Sequence, residues 1–328
     1  MRIKSGFYTG NGTSQTVTVG FQPKALLVKG GANAAIIRLD TMDADSAKTL
    51  GALGTIITGA ITSIVATGFT VGAGVNANAD TVTYRWLALA HDGTLNDIET
   101  GSFAGNDTDN TDITLAVITG TPNYVAIIPS DAQDLEHRTS DHTGDLAQGY
   151  SRAALANIIQ SFGAGTFQVG NRNVAPTMNR AGNTYYWLAL VNFTGFFRAF
   201  TYTPDGTDSY NVSGVGFEPH TVMSKRVGST NPAGLRFKDQ VGDSSYLVDA
   251  TDATTNIIQA LAVDGFQIGT NAAVNFNATQ YVTTIFRDSV AGSGKVPPGR
   301  SKPPGPPPGK GGGQQLRWAF KAIRRRYR

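Results

Sequence analysis

The tightest constraint on this chain is a run that recurs. Tyr84-Arg-Trp-Leu-Ala-Leu-Ala90 returns as Tyr186-Trp-Leu-Ala-Leu-Val191, and a degenerate third copy is Tyr281-Val-Thr-Thr-Ile-Phe286. Each is apolar, aromatic-rich and too short for an independent helix, so it reads as a strand buried on both faces. Aligning Trp187 on Trp86 puts Thr283 at the same place in the third copy.

The repeat extends well beyond that strand. Gly20-Phe21-Gln-Pro23 is matched by Gly216-Phe217-Glu-Pro219, with Thr121-Pro122 at the middle position. Gly68-Phe69-Thr-Val-Gly72 is matched by Gly165-Thr-Phe167-Gln-Val-Gly170 and Gly265-Phe266-Gln-Ile-Gly269. Proline to phenylalanine is 46, 45 and 47 residues in the three copies. This spacing divides the chain into modules at 1–95, 96–195 and 196–288.

Each module reads as all-β. An opening strand runs into Gly10-Asn-Gly-Thr13, Gly105-Asn-Asp-Thr108 or Pro204-Asp-Gly-Thr207, turn residues suited to a hairpin. Alternating Thr/Val strands follow, then a buried strand after each proline. Seven or so short strands per module argue for a two-sheet sandwich, jelly-roll-like, with one core each. A short helix is expected within Asp145–Gln160.

The end of the chain breaks this pattern. Residues 289–313 hold seven prolines and eight glycines without a collagen period, an extended linker. From Gln314 onward Leu316, Phe320, Ile323 and Tyr327 fall on one face of a predicted helix over 314–328, with Arg317, Lys321, Arg324, Arg325 and Arg328 around it. Of the 27 basic residues, ten lie in 289–328, where there is no acid. The remaining 288 residues carry 17 bases against all 24 acids, a net of −7. An acidic body with a basic arm suggests docking, with Leu316, Trp318, Phe320, Ile323, Arg324, Arg325, Arg326 and Tyr327 meeting a partner's groove and acidic rim. Nucleic-acid and membrane binding are the weaker readings of the same arm.

Chemistry has little foothold. With no cysteine, neither a disulfide framework nor a thiolate metal site can form. Met1-Arg-Ile-Lys-Ser leads into a strand pattern rather than a signal peptide, and no apolar run reaches the roughly 18 residues of a membrane span. Asp107-Thr-Asp-Asn-Thr-Asp112 has alternating oxygens but lacks the glycine and distal glutamate of a calcium loop, so a polar hairpin turn is expected. Glu136, His137, Asp141 and His142 lie in a run that reads as a solvated loop. Asp43 and Asp45 are paired acids without a recognisable cleft, and His91 and His220 stand in separate loops. Trp86 and Trp187 are expected in cores rather than on a sugar-binding surface. No cofactor, metal site or catalytic motif emerges, and the expectation is a protein without enzymatic activity.

Asn-Gly-Thr, Gly-Phe-x-Pro followed by Leu-Leu-Val-Lys29, Gly-Phe-x-Val-Gly and the Trp-Leu-Ala-Leu strand together resemble a β-sandwich module of tailed-phage tail and tail-fibre-associated proteins. The resemblance covers about 1–288 and weakens at Thr121-Pro122 and at Thr283. It implies a bacteriophage virion component, a structural protein of the tail, baseplate or fibre, whose arm docks on other virion proteins and which forms a homo-oligomer, a trimer foremost. The alternatives are an adhesin module binding a host-surface glycan or receptor through its loops, or a capsid decoration protein.

Overall fold

The computed structural model describes residues 1–51, 54–172 and 174–289. The linker from residue 290, the expected helix over 314–328 and its docking residues lie outside these. The described residues are almost entirely β.

Residues 2–90 form β1 (Arg2–Thr9), β2 (Gln15–Thr18), β3 (Ala25–Gly30), β4 (Ile36–Leu39), β5 (Ala47–Thr49), β6 (Ile56–Ile57), β7 (Ile61–Val65), β8 (Gly68–Val71), one helical turn α1 (Val75–Asn78) and β9 (Thr83–Ala90). Residues 98–190 repeat the order as β10 (Ile98–Ala104), β11 (Thr111–Thr114), β12 (Tyr124–Pro129), β13 (Glu136–Thr139), β14 (Leu146–Gly149), β15 (Leu155–Ala156), β16 (Ile159–Gly163), β17 (Thr166–Val169) and β18 (Thr184–Leu190). Residues 197–286 give β19 (Phe197–Tyr202), β20 (Tyr210–Ser213), β21 (Thr221–Arg226), β22 (Gly234–Phe237), β23 (Tyr246–Leu247), β24 (Ile258–Ala262), β25 (Gly265–Ile268) and β26 (Tyr281–Phe286).

Each set pairs into one large and one small antiparallel sheet. The large sheets run β1-β9-β3-β4-β5-β6, β10-β18-β12-β13-β14-β15 and β19-β26-β21-β22-β23. The small ones run β2-β8-β7, β11-β17-β16 and β20-β25-β24. An apolar cluster fills the space between the two sheets of each pair; in the first it joins Val17, Phe69 and Val71 to Leu26, Val28 and Trp86. The second and third are built alike around Phe167 and Phe266.

The recurrent strand lies second in each large sheet, and its alternation explains its composition. Tyr84, Trp86 and Ala88 face the sandwich core, while Leu87 and Leu89 face a separate core. That second core gathers the outer faces of all three large sheets. Burial on both faces is why the run is apolar throughout.

Opposite each tryptophan the paired residue is glycine, Gly6 for Trp86 and Gly101 for Trp187. In the third module Phe200 stands opposite Thr283. The bulk has moved to the neighbouring strand, which accounts for the missing third tryptophan. Trp86 and Trp187 are 3% and 4% exposed, so the expected core placement holds.

Two buried side chains recur without having been anticipated. Asn78, Asn179 and Asn275 each stand six residues before a buried tyrosine. Their amide oxygens accept the backbone N–H of Asn11, Asn106 and Gly206, and their amide nitrogens donate to the carbonyls of Thr13, Thr108 and Thr207. This clamps the turn after the opening strand. Arg38, Arg138 and Arg236 donate to carbonyls of the following loop and of the small sheet, Arg236 for example to Ser244 (2.5 Å) and Ile258 (2.9 Å). One guanidinium thereby satisfies acceptors from two layers.

Several local expectations change. The first two modules have nine strands and the third eight, rather than seven or so, because each middle region adds short strands. Asp145–Gln160 contains β14, β15 and the start of β16 where a helix was expected. The run 134–145 is solvated only in part: Ser140, Asp141, Thr143 and Gly144 are exposed, but Glu136–Thr139 is the buried strand β13. Its charged side chains disguised it: Arg138 is held by backbone carbonyls, and Glu136 is buried 4.0 Å from Arg152. The turn at Asp107–Asp112 is not a hairpin. β10 pairs with β18 and β11 with β17, so this segment carries the chain from one sheet to the other, with Asp107 and Asn110 at positive φ.

Candidate functional site: the seams around the shared core

The register of the large sheets lets equivalent residues be read across them. In the first module one row runs Ser5, Leu87, Leu27, Ile37, Lys48. In the second it runs Thr100, Leu188, Ala126, His137, Gln148. In the third it runs Ala199, Thr284, Met223, Leu235, Tyr246. The middle of each row meets in the shared core. Small and large residues exchange places between rows, as interdigitating layers require. A residual cavity of about 40 Å³ among Leu27, Leu87, Tyr124, Leu188, Met223 and Phe286 lies between the three sheets.

The last residue of the first and third rows reaches into another module. Lys48 donates to the carbonyls of Pro129 (3.1 Å) and Asp131 (2.6 Å). Tyr246 accepts a hydrogen bond from Arg85 (2.7 Å) and lies under the Lys29 ammonium, 5.3 Å from the ring centroid. Backbone bonds repeat the same sense: Ala233 N–H donates to Tyr150 O and Ala35 N–H to Val248 O, both at 2.8 Å. Gly54 N–H donates to the Asp134 carboxylate (3.1 Å) across the remaining seam. Module one thus meets two, two meets three, and three meets one. This is a head-to-tail ring closed within a single chain.

Lysine ammoniums occupy carbonyl cradles at this ring. Lys29 donates to Gly31 O (3.3 Å) within its own loop, and to Asp249 O (3.0 Å) and Thr251 O (2.7 Å) of module three. Lys225, the equivalent in module three, donates to the carbonyls of Ser229 and Asn231 (2.8 Å). Module two has Ile128 at that position, and Lys48 fills its loop from module one instead. Burial holds Lys29 and Lys48 down at about 8 and Lys225 at about 7. Carbonyl acceptors on every side offset part of the cost of burying these charges.

The seam between modules two and three is the most polar. Glu136 and Gln148 are fully buried, and their side-chain oxygens have no hydrogen-bond partner. Burial raises the Glu136 carboxyl well above its usual range, with Arg152 4.0 Å away opposing that shift. His137 stacks on Tyr150 at 4.3 Å, and Tyr150 bonds Tyr124 at 2.6 Å between hydroxyls. Burial pushes His137 well below its usual range and His142 to about 4, leaving both neutral at pH 7. His137 therefore serves as a core ring where Ile37 and Leu235 stand in the other modules, and His142 accepts Thr139 N–H where Met42 and Gln240 stand.

Among the described residues no three His, Asp or Glu side chains gather as metal ligands. Asp43 is exposed and Asp45 accepts the N–H of Gly59. His220 accepts the N–H of Asp288, and His91 accepts that of Gly93. The structure brings none of these together into a catalytic group. The proposed docking residues Leu316–Tyr327 lie outside the described residues. The seam residues were missed because a lysine or arginine in a strand carries no sign in the sequence that it is buried. The one available signal was regularity: Arg38, Arg138 and Arg236 follow Pro23, Pro122 and Pro219 by 15, 16 and 17 residues. No protein-family model matches the chain, and no curated protein does.

Proposed function

We propose that this chain is a non-enzymatic structural component of a tailed-phage virion, in the tail, baseplate or a fibre, fastened to neighbouring subunits by its C-terminal arm. The observation that carries the structural part is the closed ring: three sandwiches share one apolar core, and every module edge that forms a seam is occupied by another module. Such a body has little freedom to hinge and suits a load-bearing position. The phage assignment rests on the resemblance of the modules.

The homo-oligomer expected from the sequence takes a particular form in this reading. The threefold arrangement already exists within one chain, so association into a trimer would use the outer surface or the arm rather than the seams. Purified particles provide the test. The protein should co-purify with virions at fixed stoichiometry, and antibodies against it should label one location. A protein found only free in the lysate would overturn the reading.

A further inference from the structure

The internal repeat supplies its own control for finding a specialised surface. In modules one and three the segment between the Gly-Phe-x-Val/Ile-Gly strand and the clamp asparagine takes six residues, Gly72 to Asn78 and Gly269 to Asn275. In module two it takes nine, Gly170 to Asn179. In module one this segment closes onto the neighbouring loop through Asn33, which donates to Val75 O at 3.0 Å. In module three the Arg226 guanidinium stacks on Phe276 at 3.6 Å and covers the same place. In module two Gln133 of the neighbouring loop likewise accepts Thr177 N–H at 2.6 Å, and a cleft of about 660 Å³ remains beside this contact. A second cleft of about 310 Å³ shares Arg172 and Ala175 with it and extends to Arg152 and to Thr230 of module three. The two form a groove.

The lining is polar and its charges are unequally engaged. Asp107 accepts Ala181 N–H at 3.1 Å, and Asp131 accepts the amides of Gln133 and Asn183, both at 2.7 Å. Arg180 is exposed and Arg172 donates to Ala175 O at 3.2 Å; neither forms an ion pair among the described residues. Two guanidiniums without a carboxylate partner among the described residues stand beside carboxylate and amide oxygens able to accept hydroxyls. The lining holds no aromatic ring for apolar stacking.

We propose that this groove binds an anionic, hydroxyl-rich chain, either a sugar acid or a polyol phosphate, with Arg172 and Arg180 holding its charged group and Asp107 and Asn171 its hydroxyls. Arginine is suited to planar two-point recognition of carboxylate and phosphate. The length of the groove accommodates more than one unit. The site goes beyond a structural role and does not depend on it.

The experiment is calorimetric titration of the full chain with oligogalacturonate, with glycerol-phosphate oligomers and with a neutral maltooligosaccharide. One anionic probe should bind and the neutral one should not, and whichever binds identifies the source of the charge. Arg172→Ala and Arg180→Ala should each weaken that binding roughly tenfold or more, the scale of losing a charge-assisted hydrogen bond, without moving the melting temperature. Ala175→Trp, at an exposed position, should abolish binding by filling the groove. Failure of both anionic probes to bind, equal binding of the neutral probe, or arginine variants with unchanged affinity would each overturn the proposal.

Discussion

Replacing Gly6 by alanine should destabilise the protein, and the same substitution should stabilise it once Trp86 is shortened to valine. An ideal Cβ at Gly6 would lie 2.7 Å from Cζ2 of Trp86, 3.0 Å from Cε2 and 3.3 Å from Cη2. Carbon atoms attract best at about 3.5–4.0 Å, so all three approaches are repulsive. The indole has little room to retreat, because it is 3% exposed and packed edge-on against Phe69 at 6.0 Å. Overpacking of this kind costs about 1–3 kcal/mol. Trp86→Val alone should cost about 3–5 kcal/mol, the range for truncating a large buried aromatic. In that background the new methyl meets empty space, and replacing a strand glycine gains about 0.5–1 kcal/mol. The coupling between the sites is then about 1.5–4 kcal/mol, outside the scatter of independent mutations. Guanidinium titrations of the four variants, compared at constant m, measure it. Gly6→Ala having the same effect in both backgrounds would refute the account of why Phe200 and Thr283 exchange sizes in module three.

Lys48→Met should lower stability by about 1–3 kcal/mol, the cost of leaving buried carbonyls such as Pro129 O and Asp131 O without a donor; unchanged melting would show that the seam does not need the ammonium. Glu136→Gln should raise the melting temperature at pH 7. The folded carboxyl is raised above its unfolded value, so its contribution is full below the unfolded value near 4.5 and is lost as pH rises through the folded one. The variant should therefore flatten the decline between mild acid and neutrality, and a pH–melting profile parallel to wild type would contradict this. Phe320→Asp should prevent incorporation of the chain into particles while leaving the melting of the three-module body unchanged; normal incorporation would remove the arm from the docking role.

The parts of the fold legible in the sequence were those where apolar residues and glycines recur at fixed distance. The two-sided burial of β9 and β18 followed from Trp86-Leu-Ala-Leu89 and Trp187-Leu-Ala-Leu190, since no exposed strand face could tolerate them. The run Glu136-His-Arg-Thr139 failed because charge normally marks the surface. Here Arg138 is surrounded by carbonyls of its own loop, and His137 takes the place of an aliphatic residue against Tyr150. Asn-Gly-Thr correctly signalled a tight turn with positive φ. It could not say whether the next strand pairs with the last one or crosses to another sheet, because both need the same backbone. The groove of module two could be seen in the sequence only as a three-residue difference in spacing, and loop length alone does not reveal what the neighbouring loop leaves open.

A ring of three modules in one chain has a property that three identical subunits lack. In a symmetric trimer each seam is the same, and any change appears three times. Here the seams have diverged: at equivalent positions Lys48 and Tyr246 bond into another module, whereas the buried Gln148 side chain has no hydrogen-bond partner. Module two carries Ile128 where the others have lysine, a buried Glu136 with no hydrogen-bond partner, and the only lengthened loop of the three equivalent ones. Two modules can hold the shared core while the third tolerates polar burial and an open surface. The consequence is a stoichiometry. The groove between Arg172 and Arg180 occurs once per chain, so titration should saturate at one ligand for every three sandwiches. Saturation at three would mean that Asn33 and Arg226 do not close the equivalent places, and would remove the reason for assigning the site to module two.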